Sequence, residues 1–343
     1  MSARTRRRVQ RLALLALGAL LVVLGLSRLA GASMFGERHA HPHPERHVER
    51  TVERTVELVD VRQGRAEGVF LDETFRVRPG GTLDLDLGSA SVTVRTGGGD
   101  RARVVVEGRG RDAEREFERR RFSARTDGDR LVVQTDPERR NWRTGRTDAR
   151  FDVTVEVPRR FDAAIDVGSG SVDVGPLTGD LRVDTGSGSV RVADVDGERV
   201  VLDTGSGSVH AHALRGDVEI DTGSGSVRVE SVDGELAVDT GSGSVDVGLV
   251  RGPVLVDTGS GGVELALAGA APVEIDTGSG SVSLGLPRDA GFDVAVEASS
   301  VRIDEALGFR GRNERGRAEG QIGRGGPDID VETGSGTVRL RTR

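Results

Sequence analysis

The residues best suited to chemistry in this sequence are aspartates, and they recur. A segment close to Asp-Thr-Gly-Ser-Gly-Ser-Val opens at Asp166, Asp184, Asp203, Asp221, Asp239, Asp257 and Asp276, at steps of 18, 19, 18, 18, 18 and 19 residues. Asp-Thr-Gly-Ser is also the short signature of aspartic proteases, in which two carboxylates share one proton. That chemistry needs a pair of carboxylates facing each other across a cleft. Here the tetrad returns at a fixed interval, and the flanking Val-x-Val patterns run on without interruption. A row of carboxylates could instead hold Ca²⁺, but one monodentate group per repeat falls short of the roughly six to eight oxygens that ion takes. The glycine turns do not read as phosphate loops, because no helix follows them and the sequence contains no Lys.

Histidines are the other candidates. His210 and His212 flank Ala211 on a predicted strand, so both rings point outward on the same side, a spacing that can hold Zn²⁺ or Cu²⁺. The sequence supplies no evident third ligand, and the pair is read as two exposed histidines. His39, His41, His43 and His47 alternate with Pro42 and Pro44 in a stretch that cannot build a core, and read as part of a solvated linker. No catalytic, cofactor-binding or metal-ligating residue is assigned, and no cofactor is expected. With no Cys, disulfides and thiolate metal sites are excluded.

What must position these residues is the repeat itself. A constant period near 18 residues marks one structural unit stacked many times, because so small a unit cannot bury its own apolar face. In the copy beginning at Leu181, Leu181 and Val183 alternate with Arg182 and Asp184, the pattern of a strand with one buried face. Gly186-Ser187-Gly188 is then a turn. Beyond it Val190 and Val192 face inward, so the inward parity has flipped and the chain has rounded a corner. Val195 adds a core position before a second corner at Asp196-Gly197, giving about five small inward residues per coil.

The predicted fold class is therefore all-β: a parallel β-helix (β-solenoid) with about 18-residue coils, preceded by an N-terminal hydrophobic helix. Eight coils stacked at about 4.8 Å would reach roughly 38 Å. Val183, Ile220 and Val238 should share one buried column. Gly186, Gly205, Gly223, Gly241, Gly259 and Gly278 fall at equivalent corners, where a positive φ or close approach of stacked coils would exclude a Cβ. Stacking also lines up the aspartates, and neighbours about 4.8 Å apart repel by about 0.9 kcal/mol in water. Turn amides are expected to offset this by donating to each carboxylate, with Thr and Ser hydroxyls adding ladders. On that reading Asp239→Ala would cost about 1 to 3 kcal/mol.

Composition fits short strands and tight turns, with 50 Gly and only 3% aromatic residues. A net charge of -7 and no strongly basic domain argue against nucleic acid as a partner. Arg4, Arg6, Arg7, Arg8 and Arg11 precede an apolar run from Leu12 to Leu26, an order that directs export and leaves the N-terminus in the cytoplasm. The resulting organisation is a basic cytoplasmic N-terminus at 1–11, a transmembrane anchor or signal peptide at 12–32, an extended stalk at 33–73 and the solenoid at 74–343. Ala30-Gly31-Ala32 is the cleavage site if the segment is removed, which would leave a secreted or periplasmic chain.

Within the solenoid, Leu83 to Val94 aligns with the repeat, with Asp86 at the aspartate position. The coil array is expected to begin near Phe75. The stretch 95–160 reads as an irregular capping part, with strands at Ala102 to Glu107, Arg130 to Gln134 and Phe151 to Val157. A short helix there is capped by Asp112 and supported by Glu116 and Arg120 at i,i+4. Regular repeats fill 161–305. At 306–343 a Gly/Arg-rich loop from Arg312 to Gly326 precedes a final coil, Asp328 to Leu340, where Arg339, Arg341 and Arg343 would guard the last edge.

The succession Val157-Pro-Arg-Arg-Phe-Asp-Ala-Ala-Ile-Asp-Val-Gly-Ser-Gly-Ser-Val-Asp-Val, then Leu-Thr-Gly-Asp-Leu-Arg-Val-Asp-Thr-Gly-Ser-Gly-Ser-Val and Val-Asp-Gly-Glu, resembles a bacterial β-strand-repeat family of unknown function labelled putative adhesins. The resemblance runs from about Phe75 to Arg343. It implies a parallel β-helix in an envelope-associated protein and no catalytic residues. The expected function is a non-enzymatic, exported envelope protein, held to the membrane by its N-terminal segment, whose solenoid offers an adhesin-like binding or scaffold surface. An envelope protein or polysaccharide is the expected ligand. The alternatives are a carbohydrate-active β-helix enzyme and a self-assembling or ice-surface-binding solenoid. Against the enzyme, the outward column Asp173, Arg191, His210, Arg228, Asp246, Glu264, Ser283 reads as a mixed-charge solvated face.

Overall fold

The period-two alternation of the repeat produces strands, and the 18-residue step decides which strands meet. The computed structural model describes residues 67–136 and 147–343, in which the chain is mostly β and forms one mixed, mostly parallel sheet. The hydrophobic segment at 12–32 and the histidines at 39–47 lie outside the described residues. Among the described residues no helix is long and apolar enough to cross a membrane.

Each repeat contributes to two rows of strands and to a short third one, in which the buried Leu177, Val195, Leu214, Val232 and Val250 pair in register. In the first row, Leu181–Thr185 lies parallel between Phe161–Ser169 and Val195–Thr204, so that Val183 meets Ile165 and Leu202. In the second row, Val190–Val192 lies parallel between Val172–Val174 and the start of Val209–Thr222. Continuing the first row, Leu202 meets Ile220 and Ile220 meets Val238, so Val183, Ile220 and Val238 do share a buried column. Inward residues of these rows merge into one apolar core, where a buried Val or Leu contributes about 1.5 to 3 kcal/mol.

One inward position, filled by Leu87 and Val167 in the first coils, is polar in the coils that follow. Thr185, Thr204, Thr222, Thr240, Thr258, Thr277 and Thr333 are all buried. The alternation explains it: Leu181, Val183 and Thr185 share a parity, so the strand's inward face continues into the turn while Asp184 faces out.

At Gly186 and Gly188 close approach of the next coil fixes the glycine, and at the equivalent Gly170 and Gly261 a positive φ adds to it. A Cβ on Gly188 would sit 1.9 Å from the carbonyl oxygen of Gly170 in the neighbouring coil, and one on Gly186 would sit 2.6 Å from that of Gly168. No side chain fits there without moving backbone.

At both ends the spatial order of coils departs from the chain order. Gly81–Ser89 and Ser91–Gly97 form a coil whose other neighbours are Arg130–Gln134 and Arg150–Pro158. Antiparallel strands then close the end: Arg101–Arg109 on Arg150–Pro158, Glu67–Arg76 on Arg101–Arg109, and Ser123–Asp127 on Arg130–Gln134. The strand at Glu67–Arg76 buries Leu71 and Phe75, so ordered sheet begins ahead of the expected limits at Glu73 and Phe75. The short helix is present at Ala113–Arg120, but Asp112 makes no capping hydrogen bond because its carboxylate takes Arg115 instead. The predicted Glu116–Arg120 pair forms at 3.6 Å, with Arg119 as a second partner of the buried carboxylate.

The C-terminal coil is likewise not the outermost layer. Asp328–Ser335 lies between Val273–Ser279 and Phe292–Glu297, and Thr337–Thr342 lies between Val282–Leu286 and Ser300–Ile303. Arg339, Arg341 and Arg343 therefore guard no edge; Arg341 reaches Glu264, and Arg343 donates to the Leu267 carbonyl at 3.1 Å. The Gly/Arg-rich stretch is a hairpin, Arg310–Glu314 with Arg317–Ile322, rather than a loop. Its turn residues Arg315 (φ 49°) and Gly316 (φ 81°) both take the positive φ that two-residue hairpins need. The outermost strand there, Arg-Gly-Arg-Asn-Glu, is exposed throughout, so the edge is guarded by Arg310, Arg312 and Glu314.

Candidate functional site

In-register parallel stacking converts the repeated aspartate into a ladder. In successive coils Asp86 meets Asp166, then Asp184, Asp203, Asp221, Asp239, Asp257, Asp276, Glu332 and Glu297. The row ends at Gln134 on one side and on the other at Arg317, which pairs with Glu297 at 3.0 Å. These side chains lie on the outward side of the strands, half-buried or exposed, and the strand spacing of about 4.8 Å keeps each within reach of its neighbours' charge.

The amides expected to offset this repulsion are engaged elsewhere. Gly186, Gly205 and Gly223 donate to the carbonyls of Val167, Thr185 and Thr204 in the adjoining coil at 3.0–3.2 Å. Among the described residues no turn amide donates to Asp203, Asp221, Asp239 or Asp257, and Asp184 has Arg182 at 3.9 Å. The turn is held from the inside instead. Thr204 and Thr222 hydroxyls donate to the carbonyls of Gly188 and Gly207, each at 3.1 Å, and Thr333 does the same to Gly280. Thr258 and Thr277 break this pattern, since their buried hydroxyls have no partner. Serine contacts add to the ladder at Ser89–Ser169 (2.8 Å) and Ser260–Ser242 (3.4 Å).

Crowding shows in the carboxylates' proton affinity. Asp203 is pushed up to about 6, first by withdrawal from water between the coils and then by the charges of Asp184 and Asp221. Asp184, Asp239 and Asp257 are raised by the same withdrawal, followed by the charges of Asp166, Asp221 and Asp239 respectively. Asp221 is raised by withdrawal and then by Glu219.

The outward face of the second row differs. Its column runs Asp173, Arg191, His210, Arg228, Asp246, Glu264, Ser283 and Arg339, as the sequence indicated. Opposite charges meet there: Arg191–Asp173 at 3.8 Å and Arg228–Asp246 at 3.2 Å. Nearby, Arg215–Asp196 (3.7 Å) and Arg251–Asp233 (3.2 Å) repeat the arrangement.

His210 and His212 are both exposed on the same side of Val209–Thr222, but they do not converge on a shared ligand. His212 is clasped between two coils: Nδ1 contacts Asp194, and Nε2 lies 3.1 Å from Glu230. The hydrogen bond to Asp194, then the Glu230 charge, raises the imidazole above its ordinary value, while Asp194 is lowered chiefly by the same bond. Among the described residues no group of His, Asp and Glu is arranged to hold a metal ion.

Glu297 and Glu332 belong to the ladder although neither is an aspartate. Glu332 was readable in Glu-Thr-Gly-Ser-Gly-Thr-Val. Glu297 sits in the degenerate Val-Glu-Ala-Ser-Ser-Val, whose missing glycines hide the alignment.

A stack of in-register strands, with repeated polar residues arrayed on its faces, defines a repeat protein of solenoid-like architecture. The chain belongs to the Toastrack DUF4097 family, whose model matches residues 81–341. Similar solved structures include a putative lipid binding protein from Parabacteroides distasonis, 13% identical, covering 78% of this chain and 96% of that one with a TM-score of 0.47. A putative adhesin from Bacteroides fragilis, also 13% identical, covers 79% and 96% with a TM-score of 0.39. No curated protein matches the chain.

Proposed function

We propose that this is a non-enzymatic, exported bacterial envelope protein in which a β-solenoid of about 18-residue coils presents an adhesin-like binding or scaffold surface. The observation that supports this most is the display itself. Each coil sets the same type of residue at the same place, so a whole face carries one chemistry at a fixed pitch. Such a face suits repeated weak contacts with a polymeric or multivalent partner better than chemistry at a single point. An envelope polysaccharide or an envelope protein is the partner class, with the N-terminal hydrophobic segment as the membrane tether.

Two measurements test this. Protease added to intact spheroplasts should digest the repeat region, and complete protection would refute export. A mature N-terminus at Ser33 would keep export and remove the anchor. The purified chain should co-sediment with an envelope polysaccharide or envelope-protein fraction. Release of reducing ends from such polysaccharides would favour a carbohydrate-active enzyme instead.

A further inference from the structure

The strand register forces like charges together along the ladder, and three features keep them there. Parallel pairing places Asp203 directly opposite Asp184 and Asp221, and Asp239 directly opposite Asp221 and Asp257. Aspartate has a single methylene between backbone and carboxyl, so these groups cannot splay apart as glutamates could. The flanking outward positions do little to neutralise them: beside Asp203 stand Arg182, Val201 and Glu219, and beside Asp239 stand Glu219, Ala237 and Leu255. Arg182 is the one cation among these positions and lies 3.9 Å from Asp184, while Arg199 from the adjoining strand takes Glu219 at 2.7 Å and not an aspartate.

We propose that this carboxylate ladder is a proton-binding device that couples the stability of the stack to mild acidity. A proton held between neighbouring carboxylates replaces a repulsion with a hydrogen bond, and the row takes up protons as a coupled set rather than residue by residue. The direction follows from linkage. The ordinary aspartate value near 3.8 applies to the unfolded chain, while Asp203 in the fold reaches about 6 and Asp184, Asp221, Asp239 and Asp257 are also raised. Between those values the folded state binds more protons, so stability rises as pH falls from neutral toward about 4. His212, clasped by Asp194 and Glu230 on the other row, acts in the same direction, so the test must separate the two.

The experiment is thermal unfolding of the full chain from about pH 8 to pH 4.5, with Asp203→Asn/Asp221→Asn and His212→Gln compared in the same buffers. The expected result is a midpoint that climbs by several degrees on acidification. In the double asparagine variant it should start higher at pH 8 and climb less, and in His212→Gln most of the climb should remain. Infrared titration of the unmodified chain, following the band of protonated carboxyl groups, should show protons gained between pH 7 and 5, which decides the matter even where the variant fails to fold. A midpoint that falls steadily from pH 8 to 5 would overturn the proposal. So would an infrared titration confined below pH 4.5, or an asparagine variant that loses stability at pH 8. If millimolar Ca²⁺ at pH 8 reproduced the full climb, the ladder would be a cation site and the proton reading would fall.

Discussion

Two outward faces of the stack are built on the same period, yet one gathers like charge along its whole length and the other mixes signs, so that most of its acids and bases find a partner. On the first row every coil sets an acid against an acid, from Asp86 through Asp276 to Glu297. On the second row, Arg191 faces Asp173 and Arg228 faces Asp246. The difference lies in the repeat. Parallel in-register stacking copies sequence identity into spatial contact, so a position that never varies must meet itself, and only a position that varies can be paired with its complement. The second row follows a turn whose next residues change from coil to coil. The first precedes that turn, where an acid is kept in every coil and Asp-Thr-Gly-Ser is unvaried from Asp184 to Asp276. Constancy there serves the threonine and glycine, which face the interior and the neighbouring backbone, while aspartate holds the one outward place.

The hardest blow to the comparison is to the turn that joins the two rows. A Cβ on Gly225 would lie 1.8 Å from the Gly207 carbonyl oxygen. Gly225→Ala should therefore cost about 3 kcal/mol or more and disturb both faces together, measured by urea unfolding. A loss under about 1 kcal/mol would mean that the coils can slide apart at the turn.

Threonine gives a finer cut. Thr222 donates to Gly207 from a buried site, whereas the Thr258 hydroxyl is buried without a partner. Thr222→Val should cost about 1 to 2 kcal/mol, while Thr258→Val should be neutral or stabilising, because an unpaired buried hydroxyl is replaced by a methyl of similar shape. Equal losses at both sites would show that the hydroxyl bonds do not hold the turn.

The charge contrast itself predicts opposite signs. At about pH 8, Asp239→Asn removes a carboxylate flanked by two others and should stabilise by up to about 1 kcal/mol. Asp173→Asn removes the partner of Arg191 and faces no like charge on its other side, where Thr93 stands, so it should cost up to about 0.5 kcal/mol. The first outcome reverses what the sequence suggested for Asp239→Ala, since the turn amides donate to the adjoining coil and leave no hydrogen bond for aspartate to lose.

The array was legible because period and parity are local. Val183, Val190 and Val192 could be placed inward from alternation alone, and the 18-residue step named their partners. The ends were not legible because spatial neighbours there are distant in sequence. Nothing in Asp328 to Leu340 says that Phe292–Glu297 and Ser300–Ile303 will cover it, nor that Arg130–Gln134 will cover Gly81–Ser89. The roles within Asp-Thr were misassigned for a different reason. A strand's parity persists into the turn, so the threonine hydroxyl faces in and donates to a stacked carbonyl, while the carboxylate faces out, away from the turn amides it was expected to accept from.

His212 supplies the smallest and most local test. A neutral imidazole carries one N–H, so it can donate to Asp194 or to Glu230 but not to both, and only the imidazolium satisfies the two contacts. The contacts therefore hold the ring charged to a higher pH than its ordinary 6.5. The stability this adds is fully present below that ordinary value and is lost as pH rises through the raised one. Because the ring is exposed, the readout should be its own titration rather than global unfolding. The His212 ring signals in NMR should titrate above 6.5, and Asp194→Asn, removing the larger cause, should bring the midpoint down further than Glu230→Gln does. If neither variant moves the midpoint, the clasp is not held in solution, and the coils meet there through their backbone and the buried Val209 and Ala211.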